Sequence, residues 1–309
     1  MLNQLFSTSR PAGYIVIAVF LLFAYSLNLF SDVTWMADPT EVLKKIILFF
    51  VMVLSVLLVQ FISVKNQLNS NSLYSLFFYS CFLLLFSSYF ENSKIIMANF
   101  FVLLGLRRLF SMHSMITPKQ KLFDASLWFL MAAVFNSWTI LFLAMVYLTV
   151  IWYVSEDYRN WIIPIIASAV VAVLFYTYGL ATDFDFIEYW KEKFVLSLNF
   201  QYFENNFQRI ALSIFAALCC LFISYQATLM KKAPMHQHNL YKSILMCFII
   251  GASIYVLCSP KQNACLVYTF FPLSIAAGNF VLNVEQKWIK ETVMVAVLVI
   301  SVFVFAMQL

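Results

Sequence analysis

The stretch SDVTWMADPTE, Ser31 to Glu41, holds three carboxylates between two long apolar runs. A carboxylate at the end of a membrane helix is suited to general-base work: it can take the proton of an acceptor hydroxyl while a lipid-linked donor approaches from the side. The three acids are not equivalent. In DPTE, Asp38 has the character of a helix N-cap, Pro39 suits the first helical position, and Glu41 falls three residues after the cap. Capping therefore accounts for Asp38 and Glu41, and Asp32 is left as the candidate catalytic base. The competing expectation is that the loop is a solvated connector. A donor phosphate needs cations or helix N-termini. Lys44, Lys45, Lys94 and Arg209 are the basic residues expected on the same side, and Lys94 and Arg209 are taken as substrate-binding candidates. Asn99 and Asn136 join them, because a polar side chain in or near an apolar segment is costly unless partnered. Asn28, Gln60 and Asn279 share that property, and bonding from helix to helix explains each amide equally well.

Other chemistries find little material. The chain has five glycines and neither a G-x-x-x-x-G-K-[ST] nor a G-x-G-x-x-G pattern, which excludes the usual nucleotide cradles. His236 and His238 form an H-x-H pair in KKAPMHQHNLYK, but no acid or cysteine nearby completes a ligand set, so a solvated loop is expected. No metal and no cofactor is expected. Cys81, Cys219, Cys220 and Cys247 lie in apolar runs, where cysteine acts as a small apolar side chain. Cys258 and Cys265 flank SPKQNA at the expected outer face. There a disulfide can staple the turn in an oxidising compartment, or two helix ends can hold the thiols apart.

The elements that must position these residues are helices in a membrane. Of 309 residues, 63% are hydrophobic and 11% charged, with mean hydropathy +0.88, so no water-soluble shell can be built. The apolar runs are continuous rather than alternating, which selects helices over a barrel. The fold expected is an all-α, polytopic transmembrane helical bundle in one domain, 1–309. About eleven apolar segments are read: 12–30, 43–64, 72–90, 95–106, 123–136, 138–154, 161–181, 209–230, 243–258, 266–283 and 291–309. With the N-terminus in the cytoplasm, 12 of the 19 basic residues face inward and 9 of the 14 acids outward, the expected bias for an inner-membrane protein. Lys44 and Lys45 run against it. The net charge of +5 thus reflects topology and not nucleic-acid binding.

Three regions are irregular. Ile95 to Leu106 is too short to cross a bilayer core of about 30 Å, so it must be broken, re-entrant or continued through Arg107 and Arg108. Leu122 to Tyr153 is too long for one span and gives two short ones if it turns at Asn136-Ser137-Trp138. Asp124, at the expected start of the first of these, is read as a cap. The outer loop 182–209 carries Ile187, Trp190, Phe194 and Leu198 at steps of three and four, the pattern of an amphipathic helix on the membrane surface; stacking on sugars is the alternative.

An acid in the first outer loop, a short broken segment, and the short pair FLMAAVFNSWTILFLAMVYLTVIWY ahead of RNWIIPIIASAVVAVL together resemble the membrane-embedded glycosyltransferases that use polyprenyl-phosphate sugars. The resemblance implies Asp32 as base, a polyprenyl-phosphate-linked glycan as partner and a role in cell-envelope assembly. That group commonly turns its hairpin at a Lys-Pro-like pair, where this chain has Asn136-Ser137-Trp138. Over most of its length, notably NSKIIMANFFVLLGLRRLFSMHS and KQKLFDASLWFLMAAVF, the chain also resembles a family of uncharacterised inner-membrane proteins of Bacteroidota. Members are sometimes labelled beta-carotene monooxygenases. Four-histidine iron chemistry is excluded by three histidines in loop segments. The functional expectation is a glycosyltransferase-like membrane protein; a non-catalytic subunit or scaffold of an envelope complex is the alternative, with envelope proteins and membrane lipid as partners.

Overall fold

A computed structural model describes residues 2–31, 34–182, 206–259 and 261–308. Asp32 and nearly all of the 182–209 loop lie outside the described residues. The helices are α1 (Leu2–Phe6), α2 (Pro11–Ser31), α3 (Pro39–Lys65), α4 (Tyr74–Leu84), α5 (Ser88–Glu91), α6 (Ser93–Phe110), α7 (Pro118–Phe135), α8 (Phe142–Tyr153), α9 (Arg159–Thr182), α10 (Asn206–Lys232), α11 (Met235–Leu257), α12 (Val267–Asn283) and α13 (Lys287–Gln308). Single 3-10 turns join them at Thr34–Ala37, Ser111–Ser114, Ser137–Leu141 and Asn263–Leu266. Eight of the described helices are long and apolar enough to cross a membrane, and Tyr74–Leu84 and Ser137–Tyr153 are shorter apolar helices. With α7 they reproduce the expected set of about eleven segments. The chain is an integral, multi-pass membrane protein.

The irregular regions resolve as follows. Ile95–Leu106 belongs to α6, whose 18 residues continue through Arg107 and Arg108. The helix survives its charged end because each guanidinium has a partner: Arg107 lies over the Phe61 ring at 4.7 Å, and Arg108 pairs with Asp124 at 2.9 Å. That contact corrects the reading of Asp124. The helix starts at Pro118, so Asp124 sits in its second turn as an ion-pair partner and not as a cap. The break at Asn136 is as expected: α7 ends at Phe135, and Asn136 caps the following 3-10 turn by accepting the Trp138 N–H at 3.4 Å. The 72–90 run is divided in two, α4 and α5. The segment around His236 and His238 is also corrected, since α11 begins at Met235 and carries both in its first turns.

Side-chain amides show how a bundle with breaks is held together. Gln60 on α3 donates to the Ser72 carbonyl at 2.8 Å and accepts from Ser75 at 3.2 Å. Asn69 donates to the Ile275 carbonyl on α12 at 3.1 Å, and Asn279 donates to Gln226 on α10 at 3.1 Å. The gap between α4 and α5 is filled by Gln308 of α13. Its Oε1 accepts from the Ser87 N–H and hydroxyl, both at 3.0 Å, and its Nε2 donates to the Leu85 carbonyl at 3.0 Å. Backbone groups freed by a helix break are satisfied inside protein, as hydrocarbon requires. Around them packs an aromatic core: Phe270 meets Phe215 at 5.4 Å and Phe86 at 6.0 Å.

Candidate functional site

The N-terminal ends of α3 and α6 lie on the face of the bundle opposite the N-terminus. Asp38 caps α3 in extended backbone (φ −117°, ψ 116°), with Pro39 in the first turn. Its Oδ1 accepts the Thr40 N–H at 3.0 Å and the Thr40 hydroxyl at 2.9 Å, and those bonds hold the carboxyl below the ordinary aspartate range. Glu41 does not reach back to the cap; it pairs with Lys44 at 3.1 Å. Across from this turn, α6 opens with Ser93 and Lys94. Between the two helices is a cavity of about 360 Å³. Lys44, Lys94, Thr40 and Ser93 line its polar end, and Leu43, Ile47, Leu48, Met97 and Phe135 its wall. Leu43 and Ile47 are exposed, so the wall opens sideways to lipid.

The two lysines differ. Lys44 is shared with Glu41, whereas Lys94 is exposed and has no partner among the described residues. Two helix N-termini add partial positive charge at the same place. The geometry suits an anion that trails an apolar chain. A larger cleft of about 620 Å³ at the other face, between α7 and α9, is electrostatically spent by comparison. There Lys119 pairs with Asp157 at 2.8 Å and Arg108 with Asp124, and the Lys119 bond followed by the Arg159 N–H holds Asp157 below the ordinary carboxylate range.

The other candidate residues are placed elsewhere. Asn99 is buried behind the groove and donates to the Tyr79 hydroxyl at 2.8 Å and the Tyr89 hydroxyl at 3.4 Å. Asn136 donates to the Tyr268 hydroxyl at 3.0 Å, with Cys265 Sγ at 4.0 Å. Arg209 is exposed near the start of α10 and does not line the cavity that Lys44 and Lys94 share. The structure therefore brings Lys94 to Lys44 and not to Arg209. Thr40, Ser93 and Phe135 were missed by sequence reasoning. The only signal for them is that two helix starts, at Pro39 and Ser93, fall on one face of the membrane.

Comparison with known proteins adds one result. The whole chain, residues 1–309, matches the family described as "Family of unknown function (DUF6427)". The chain belongs to DUF6427. No curated protein and no solved structure matches it. DUF6427 carries no activity in its description, so function rests on the groove and its surroundings. No group of three or more histidine, cysteine or acidic side chains fit to hold a metal occurs among the described residues of this DUF6427 chain.

Proposed function

We propose that the protein is a glycosyltransferase-like component of cell-envelope glycan assembly, and that the α3–α6 groove takes the phosphate of a polyprenyl-phosphate-linked donor. One observation supports this most: Lys94, unpartnered among the described residues, stands with Lys44 where two helix N-termini meet above an apolar wall open to lipid. A phosphate there meets two ammonium groups, and the polyprenyl chain runs along Leu43 and Ile47. Asp38 is committed to its cap, so Asp32 is the base that deprotonates the acceptor hydroxyl in this reading. Asn99 and Asn136 do not line the groove; they hold Tyr79, Tyr89 and Tyr268 in the packed interior of the bundle. The membrane is the inner one, the N-terminus cytoplasmic and the groove external.

A non-catalytic subunit or scaffold of an envelope complex is the second reading, favoured by the fact that Asp38 and Glu41 are both engaged, by Thr40 and Lys44. Complementation of a deletion strain, with lipid-linked glycans profiled, separates the two. A Lys44→Gln/Lys94→Gln double variant and an Asp32→Asn variant are each expected to leave the donor unconsumed. Full rescue by Asp32→Asn with failure of the double variant selects the non-catalytic reading. Full rescue by the double variant removes the groove from either.

A further inference from the structure

A second chemical centre lies where α11 gives way to α12. Cys258 ends α11, its N–H donating to the Ile254 carbonyl at 2.8 Å, and Cys265 sits in the 3-10 turn Asn263–Leu266 that opens α12. Six residues separate the two cysteines in sequence, yet their Sγ atoms are 3.1 Å apart. Both are buried, at 7% and 1% exposure. The other four cysteines lie within α4, α10 and α11. Metal binding is a poor use of the pair, since no third ligand stands with it among the described residues.

We propose that Cys258 and Cys265 are a redox pair that closes to an intramolecular disulfide by exchange with a disulfide-bearing thiol oxidant at the face opposite the N-terminus. Cys258 is the attacking thiol. The hydrogen bond from the Cys265 thiol, and then the Lys261 ammonium, hold it below the usual thiol range, and it is the less enclosed of the two. The Cys258 thiolate attacks one sulfur of the oxidant, forming a mixed disulfide and expelling the oxidant's other sulfur as thiolate. Cys265 then loses its proton to that thiolate and attacks Cys258 Sγ, which breaks the mixed bond and expels the remaining oxidant sulfur, and that sulfur takes up the proton that Cys258 gave to solvent. The pair gives up two electrons and two protons, and the oxidant leaves as a dithiol. The new bond fixes the end of α11 to the start of α12, beside the Asn136–Tyr268 hydrogen bond that holds the break between α7 and α8. Because such bonds persist in oxidising compartments, the state of the pair also reports which side of the membrane this face meets.

The inference does not rest on the α3–α6 groove. Its test uses the full chain in membranes of the expressing cell, trapped in SDS with a polyethylene-glycol maleimide before and after reduction, with peptide mapping by mass spectrometry. Four of the six cysteines are expected to label without reductant and all six after it, with a Cys258–Cys265 cross-linked peptide two hydrogens lighter than the reduced pair. Cys258→Ser and Cys265→Ser are each expected to release one further thiol to labelling. Labelling of all six thiols without reductant, both as isolated and after incubation with oxidised glutathione, overturns the proposal, as does a disulfide between any other pair.

Discussion

Helices α4 and α12 are the inside of this protein, and α9 and α13 its outside, yet the outer spans exceed the one that ends in α12 in hydropathy. The span that ends in α12 has mean hydropathy 1.7 and 89% of its window is buried; those of α9 and α13 reach 2.0 and 2.2 with only 22% and 28% buried. Every residue of α4 is buried, although it carries Ser75, Tyr79 and Ser80. Lipid is as apolar as leucine, so apolarity does not drive one membrane helix onto another. Close backbone approach and polar bonds do. The buried pair holds the small and polar residues, Thr269, Ser274, Gly278 and Asn279 on α12 among them, and the lipid-facing pair is left with Ile165, Val173 and Leu174 at its surface.

The contrast is broken most severely where two backbones touch. A Cβ on Gly251 of α11 would lie 2.7 Å from the Tyr268 carbonyl oxygen and 2.9 Å from its carbon, and backbone cannot turn aside as a side chain does. Gly251→Val is expected to cost about 3 kcal/mol or more, at or beyond the usual upper range for overpacking, read as lost thermal stability in detergent. Wild-type stability in that variant would mean the two helices do not approach there. Gln60→Leu is the next test. It removes bonds to Ser72 and Ser75 while adding apolar surface, and a loss of about 1 kcal/mol is expected from the same melt. If burial of apolar surface held this bundle, the variant would instead gain stability.

The cap at Asp38 belongs to neither class, because it is bathed in water. Its carboxyl is held down by the Thr40 N–H and hydroxyl, so its contribution is complete above the ordinary aspartate pKa of about 3.8 and is lost as pH falls through the lowered value in the folded protein. The melting difference between wild type and Asp38→Ala is expected to be present at neutral pH and to shrink below about pH 4. A difference that grows on acidification would reverse the sign and rule out the cap. Smallest of all is Val173→Ala on α9, 62% exposed and lipid-facing, expected to stay within about 0.5 kcal/mol. A large loss there would show that α9 is covered in the membrane by something other than lipid.

Much of this architecture was legible in the sequence, for reasons that stay local. Run length and composition give the helices, Asn136 marks the break between α7 and α8, and Asp38-Pro39 reads correctly as a cap and first turn. Glu41, which pairs with Lys44 and not with the cap, and the helix start at Met235 are local misreadings; the others come from a partner distant in sequence. Nothing near Arg108 predicts Asp124 as its counter-ion, so α6 looked too short and Asp124 looked like a cap. The groove has the same character: Lys94 and Lys44 line one cavity only because α3 and α6 start at one face, and Arg209, the other phosphate candidate, does not line it. Asp32 lies outside the described residues, and its role rests on the sequence and on the commitment of Asp38.

The contact of Gln308 with Ser87 and Leu85 also sets a clock. Its two ends are separated by 221 residues, and chains are made at about 5–20 residues per second, so the gap between α4 and α5 waits about 10–40 s for the side chain that fills it. During that interval the Leu85 carbonyl and the Ser87 N–H lack the partner that the finished bundle gives them. The last helix is therefore a late-arriving plug, and slowing its synthesis should expose the nascent protein to membrane proteases in proportion to the delay.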